Sequence, residues 1–422
     1  MRSAQWSLRM ERRALLVGGL VVLVSSQGVL AASSPTSGTG SCAVKNLTSG
    51  STGTNLQDLI DTARRGDTIR VRGTCVGNFR IRRSLRLIGQ PTPLWPHPTL
   101  DGGGAGRVVK IKGKAPAHVT FKNLTITGGL ARRGGGVRSI GQDVAVQLKG
   151  STTVTGNTAS AGGGMYIYAG SVRLRGSSSI SGNTAPTGGG IRSVYAMVRL
   201  RGSSSVTDNT ATFGGGIRTY GGTVRLRGSS SVSGNTATYG GGGIDNSGSP
   251  TYGNVRLLDS ASVTDNTANR LGGGIHNWGG TVKLRDSSSI TGNTAPTGGG
   301  IYNQPDGTVR LLDSSSVTDN TATNGDGGGI LNATGKVRLL DSSSVTDNTA
   351  TGAGGGIDNY RGRVRLRSSS SVTGNTATGA GGGIHNTGTV SACDSTGTDE
   401  WIGVISPNTP DDPPTPTQIT CS

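Results

Sequence analysis

Ten times along this 422-residue chain a glycine triplet is followed by an aliphatic residue. That residue is Val137, Met165, Ile191, Ile217, Ile244, Ile275, Ile301, Ile330, Ile357 and Ile384, at spacings of 28, 26, 26, 27, 31, 26, 29, 27 and 27 residues. Self-similarity at a period of this length specifies a solenoid or a propeller. Each unit, as in residues 298–322, reads Gly-Gly-Gly-Ile-x-Asn, then Val-Arg-Leu, then Ser-Val-Thr with Asn-Thr-Ala after it. Val-Arg-Leu and Ser-Val-Thr alternate apolar and polar residues, the two-residue period of a half-buried strand. No stretch of the repeat has helical spacing. Three strands and three turns per unit fit one coil of a parallel β-helix, whereas a propeller blade needs four strands and about 40 residues.

Coils stacked at the inter-strand distance of about 4.8 Å would span roughly 43 Å from the first triplet to the last. The Ile, Val, Leu, Val and Ala of each coil then point inward, and each coil depends on its neighbours to bury them. Two columns of asparagine result. One holds Asn157, Asn183, Asn209, Asn235, Asn266, Asn293, Asn320, Asn348 and Asn375; the other holds Asn246, Asn277, Asn303, Asn332, Asn359 and Asn386. Asparagine tolerates left-handed backbone, and its amide can bond the turn or the asparagine above, so both columns read as structural corners. The glycine triplets read the same way, because a phosphate loop needs a following helix with Lys and Ser/Thr in register.

Residues 1–31 read as a secretory signal peptide: Arg2, Arg9, Arg12 and Arg13, an apolar centre at 14–24, and Val-Leu-Ala at 29–31. Its apolar run is short for a membrane anchor and no other segment is a candidate span. Residues 32–41 are a Ser/Gly/Thr/Pro linker. Residues 42–128 read as a cap and irregular first coils, with strand-like runs at 68–71, 79–81, 85–88, 108–111 and 119–126. The stretch 55–66 is predicted to form an amphipathic helix, with Asn55 as N-cap, Gly66 as stop and Leu56, Leu59, Ile60 and Ala63 on one face. Such a helix would cover the open end of the solenoid. The repeats occupy 129–390, and 391–422 is a C-terminal cap and Pro-rich tail. Four cysteines in an exported chain suggest disulfides. Of the three possible pairings, Cys42–Cys75 with Cys393–Cys421 avoids bridging opposite ends of a long stack. Nothing in the sequence calls for a metal or cofactor: there is no Cys-x-x-Cys, and the Asn-Gly-Asp-Gly at 324–327 lacks a nine-residue calcium repeat around it.

The formal charge of +18 falls to +15 without residues 1–31, which hold four Arg and one Glu. Much of the charge is ordered. Arg173, Arg199, Arg225, Arg256, Lys283, Arg310, Arg338 and Arg365 occupy the middle of the Val-Arg-Leu strand and must face solvent. They form a cationic stripe about 34 Å long, beside a partial row of Arg175, Arg201, Arg227, Arg285 and Arg367. Like charges about 5 Å apart repel by about 1 kcal/mol in water. Either the corner residues Asp259, Asp286, Asp313 and Asp341 neutralise the stripe, or it binds a linear polyanion such as acidic polysaccharide or lipopolysaccharide, ahead of nucleic acid. A second outward column follows the Gly-Gly-Gly-Ile position: Arg192, Arg218, Asp245, His276, Tyr302, Leu331, Asp358 and His385. Arg218, Asp245 and His276, or Asp358 and His385, could serve polysaccharide hydrolysis or β-elimination, with Tyr220, Trp278 and Tyr360 stacking on sugars. The paired carboxylates of a glycosidase are absent. The Ser-x-Thr columns, as at Ser205 and Thr207 or Ser316 and Thr318, offer a flat hydroxyl ladder of the kind that orders water in ice-binding solenoids; threonine is also a good exposed strand residue.

Gly-Gly-Gly-Ile alternating with Ser-Ser-Val-Thr-x-Asn-Thr-Ala resembles the GGA(I/L/V) and FxxN repeats of polymorphic outer membrane proteins. It is similar as well to secreted β-helices of the pectate-lyase-like superfamily. The resemblance covers about residues 100–390. It implies a right-handed, single-stranded parallel β-helix of about ten regular coils plus irregular first coils, and a surface or extracellular role such as adhesion. The FxxN position here reads Val-Thr-x-Asn and no β-barrel segment precedes Ser422, so a self-inserting autotransporter is not expected. No polygalacturonase-like Gly-His-Gly or run of catalytic aspartates is present to carry over. The sequence therefore leads to an all-β, secreted or cell-surface, monomeric, non-catalytic binding protein for a polyanion, with a polysaccharide lyase or glycoside hydrolase as the alternative and an ice-binding solenoid as a minor one.

Overall fold

A computed structural model describes residues 41–113, 116–248, 253–393 and 408–409. The expected signal peptide, nearly all of the linker, most of the Pro-rich tail and Cys421 lie outside the described residues. The chain winds as a parallel β-helix, with one strand of each coil in each of several long sheets. The Val-Arg-Leu sheet has 15 strands, the Ser-Val-Thr and Gly-Gly-Gly-Ile sheets 12 each, and a further sheet 10. That further sheet corrects the three-strand reading of the coil. The Thr-Ala after each asparagine is itself held extended and paired in parallel, as in Thr210 with Thr236 and Ala211 with Ala237.

Register is equivalent on equivalent. Ile217 pairs with Ile244, Val224 with Val255, Leu226 with Leu257 and Val232 with Val263. The strands on either side of the longest repeat, Ile244–Ser247 and Asn254–Leu257, keep their registers with the neighbouring coils, so the stack is not interrupted. The aliphatic columns are fully buried in one continuous core, while Ala237, Ala268 and Ala295 pack as a small separate cluster.

Both asparagine columns are buried amide ladders. The Nδ2 of Asn293 donates to the Val263 and Thr291 carbonyls, each at 3.0 Å, and to Asn320 Oδ1 at 2.9 Å. Asn293 Oδ1 in turn accepts from the backbone N–H and Nδ2 of Asn266. The second column repeats the link at 2.7 Å from Asn246 to Asn277, Asn303, Asn332, Asn359 and Asn386. Left-handed backbone falls elsewhere than expected. In the first column it belongs to the residue just before each asparagine, which is Asp208, Asp265, Asp319 or Asp347, or a glycine such as Gly182 and Gly234. The corner after Val-Arg-Leu follows the same rule, with Asp259, Asp286, Asp313 and Asp341 where other coils have Gly176, Gly202 and Gly228. Aspartate is among the few side chains that accept this conformation.

The triplets are required for a different reason at each position. Gly214 opens its triplet at φ +63°, whereas a Cβ on Gly215 would lie 2.5 Å from the carbonyl oxygens of Gly242 and Thr236. Only bare backbone fits where consecutive coils approach this closely.

The first coil is capped. The helix spans Leu56–Thr62, with the Asn55 side chain accepting from the Gln57 N–H, and Leu56, Leu59 and Ile60 buried. It stops at Ala63, short of Gly66, because Arg64 turns out to give its N–H to Asp67 Oδ2, which also accepts from Asn46 Nδ2. An antiparallel pair, Ala43–Asn46 with Thr52–Gly53, covers the first edge of the Val-Arg-Leu sheet. Cys42 is disulfide-bonded to Cys75, which is buried in the core. In the segment expected to be a cap and tail, Asn408 supplies one more rung, accepting from the backbone N–H and Nδ2 of Asn375. Thr409 pairs with Thr376 beside it.

A mid-ladder amide is therefore irreplaceable while the residue before it is not. Asn293→Ala leaves several buried groups unpaired and is expected to lower unfolding free energy by at least about 3 kcal/mol. Asp319→Gly, at φ +54°, should stay within about 0.5 kcal/mol or stabilise slightly. Urea denaturation followed by circular dichroism measures both.

Candidate functional site

Strand alternation sets the outward face of the Val-Arg-Leu sheet: Val and Leu point into the core and the residue between them points away. The registers join Arg173, Arg199, Arg225, Arg256, Lys283, Arg310, Arg338 and Arg365 into one uninterrupted column. Gln147 precedes the column and Ser391 follows it. Most of these side chains are half-buried against one another, so Nε of Arg173, Arg199, Arg225, Arg310 and Arg365 is shielded from solvent without a hydrogen-bond partner. The Arg199 pKa is lowered by burial and by the charges of Arg173, Arg201 and Arg225. Burial and the charges of Arg285, Arg310 and Arg256 lower that of Lys283 as well, against a weaker opposing effect of Asp313.

The corner aspartates do not neutralise this column. Asp259 pairs with Arg227 at 3.0 Å and Asp313 with Arg285 at 3.3 Å, both in the adjoining partial row. Their remaining capacity goes to backbone. Asp259 accepts from the Gly228 N–H, Asp286 from that of Asp259, Asp313 from that of Asp286, and Asp341 from that of Asp313. Among the described residues, no ion pair includes any of the eight column cations.

Aromatic side chains mark the corner beside the column. Tyr168, Tyr220, Trp278 and Tyr360 are exposed, and each stands five residues before the column cation of its own coil. Tyr195, whose position in the sequence follows no period, joins Tyr168 and Tyr220 edge-to-face at 6.4 and 5.6 Å. The Ser-x-Thr face carries hydroxyl columns in register, such as Ser205 on Ser231 and Thr207 on Ser233.

The acid–histidine column is placed differently from expectation. Arg218, Asp245 and His276 do lie side by side on consecutive coils, as do Asp358 and His385. They do not all face solvent: Asp245 is 1%, His276 2% and Asp358 5% exposed. Before the glycine corners of Arg218 and Asp245 the Thr-Ala strand lengthens to Thr210–Phe213 and Thr236–Gly240 and folds over that part of the column, whereas before Asp358 and His385 it stays two residues long. The Arg218 guanidinium lies 4.6 Å over the Phe213 ring, which packs on Tyr239. A Cβ on Gly240 would sit 3.3 Å from His276 Nδ1.

Inside this cover Asp245 meets Arg218 Nε at 3.6 Å and His276 Nδ1 at 3.4 Å. Gln304 Nε2 lies 3.0 Å from His276 Nε2, on the far side of the ring from the Nδ1 that meets Asp245. Burial pushes the Asp245 pKa up, but the His276 hydrogen bond and the charges of His276 and Arg218 outweigh it and hold the carboxyl below its ordinary value. Next to them, burial and Arg218 push the Arg192 guanidinium down to about 10. Asp358 goes the other way: burial raises its pKa despite the 2.7 Å hydrogen bond from His385. A single carboxylate thus lies against a guanidinium and an imidazole under a packed strand. Among the described residues, no group of three His, Cys, Asp or Glu is arranged to hold a metal ion.

No protein-family model matches this chain, and no curated protein or solved structure matches it. The parallel β-helix stands on the structure itself.

The two buried aspartates should respond oppositely to pH. With its folded pKa depressed, Asp245 contributes stability above its unfolded value near 3.8, and loses it as pH falls through the folded value. With its folded pKa raised, ionised Asp358 costs stability at neutral pH, and its contribution improves as pH falls toward 3.8. At pH 7 Asp245→Asn, which strands the Arg218 guanidinium, should therefore cost about 2–4 kcal/mol. Asp358→Asn should be neutral or stabilising, and the gap should narrow by pH 4. Thermal melts across that range read both.

Proposed function

We propose that this chain is an exported, non-catalytic β-helix that binds a linear polyanion, acidic polysaccharide above all, along the Val-Arg-Leu face. The observation that carries the reading is the column of eight stacked cations that no carboxylate of the described residues neutralises. An anionic polymer laid along the stack would relieve repulsion on every coil at once, and its charges would meet cations at a regular spacing of about 4.8 Å. Exposed Tyr168, Tyr220, Trp278 and Tyr360 at the adjoining corner add apolar ring faces against which sugars can pack. The Cys42–Cys75 disulfide and the signal-like sequence at 1–31 favour an oxidising, extracytoplasmic setting, where such polymers are met. Adhesion to a surface that carries them is the corresponding role.

Hydrolysis or elimination at Arg218, Asp245 and His276 would require a sugar chain to reach side chains that are 1% and 2% exposed at the acid and the histidine. Binding on the opposite side of that strand's corner requires no such access.

The triple substitution Arg256→Gln, Lys283→Gln and Arg310→Gln should weaken binding of polygalacturonate or dextran sulfate more than tenfold and flatten its salt dependence. Asp245→Asn should leave binding unchanged. Titration at two salt concentrations decides it, and unaltered affinity in the triple variant overturns the reading. Release of new chain ends from those polymers, lost in His276→Ala, would instead make this an enzyme.

A further inference from the structure

The cationic column is not uniform along the stack. Two residues before each column cation, on the same face, stand Ser171, Met197, Thr223, Asn254, Thr281 and Thr308 on six consecutive coils. On the next two coils this position becomes Lys336 and Arg363, and then it returns to Thr389. Register places Lys336 against Arg363 and Arg338 against Arg365, a two-by-two block of cations. Thr389 and Ser391 follow directly and end both columns with hydroxyls.

These six residues surround a cavity of about 360 Å³, with Val337 and Val364 forming the rest of its lining. The run of four corner aspartates ends with Asp341 on the Lys336 coil, and the Arg363 coil lacks one. Where Asp259, Asp286, Asp313 and Asp341 stood, Ser368 takes the same left-handed conformation at φ +57°. Within the described residues none of the four cations has an ion-pair partner, and Arg365 Nε is shielded without a hydrogen bond.

Resting on the polyanion reading and sharpening it, we infer that this end of the column is a discrete site for a compact tetrahedral oxyanion, a phosphate or sulfate ester. Four cations within one cavity exceed what a single carboxylate neutralises. A tetrahedral group presents several acceptor oxygens at once to the planar forks of Arg338, Arg363 and Arg365 and to the ammonium of Lys336. The Thr389 and Ser391 hydroxyls can donate to the same group. The cavity lies within the size range of small-molecule pockets, so it has room for the ester and the sugar that bears it. On the central coils Thr223, Asn254, Thr281 and Thr308 leave only a single file of cations. The column would then hold the polymer along its length, and the block would select a chain carrying such an ester.

The test uses the full chain and two substitutions that copy its own central coils, Lys336→Thr with Arg363→Thr. Probes are inorganic sulfate, glucose 1-phosphate and dextran sulfate, each titrated by calorimetry. The wild-type chain should bind glucose 1-phosphate at one site, and K336T/R363T should bind it at least tenfold more weakly. The central triple variant R256Q/K283Q/R310Q should keep that site while binding dextran sulfate more than tenfold more weakly. Equal affinity for sulfate and glucose 1-phosphate would identify the anion alone as the ligand; tighter binding of the ester would show that the sugar is read too. No glucose 1-phosphate binding, or binding that survives K336T/R363T, overturns the site. Loss of dextran sulfate binding from the wild-type chain alone would overturn the polyanion reading and leave this site standing. Both substitutions are at exposed positions, and unchanged thermal melts confirm that the fold is kept.

Discussion

Parallel, in-register stacking sets every side chain on its equivalent in the next coil, about 4.8 Å away. This constraint decides which residues each position tolerates. A position can repeat without cost only if its side chain is complementary to a copy of itself. Ile, Val and Leu meet that condition through packing. Asparagine meets it through its amide, whose N–H₂ end donates to the oxygen of the next rung while keeping bonds for the local backbone, as Asn293 does between Asn266 and Asn320. Aspartate at the corners meets it less directly, each carboxylate accepting from the backbone N–H of the coil before it. Arginine does not meet it at all.

The same rule explains why the fold was so legible. The triplet spacing and the alternation in Val-Arg-Leu led directly to the sheets, and Asn55 with the Leu56, Leu59 and Ile60 face to the capping helix. What escaped was information held between coils. The Thr-Ala strands are often only two residues long, as at Thr267–Ala268, too short to show a period. Asn408 extends the ladder from a Pro-rich context in which no triplet precedes it. The acid–histidine column looked outward because alternation alone places it so. Its cover comes from the strands ending at Phe213 and Gly240, whose extension past Thr-Ala carries no regular signature.

The exception at the Val-Arg-Leu strand is therefore informative about function. A solenoid could place threonine or glutamine at its outward centre, as the chain itself does at Thr120 and Gln147, where the same sheet continues unbroken. It could also alternate signs between coils, as it nearly does in the neighbouring row, where Arg227 and Arg285 reach Asp259 and Asp313. The central column does neither. Elsewhere the repeats supply partners internally: asparagine on asparagine, the corner aspartates on backbone, and Asp245 against Arg218 and His276. Among the described residues the column cations form no ion pair, and burial, with the neighbouring cations adding to it, lowers the pKa values of Arg199 and Lys283. A partner that is missing on each coil, at one spacing and of one sign, is most economically supplied by a polymer running along the stack.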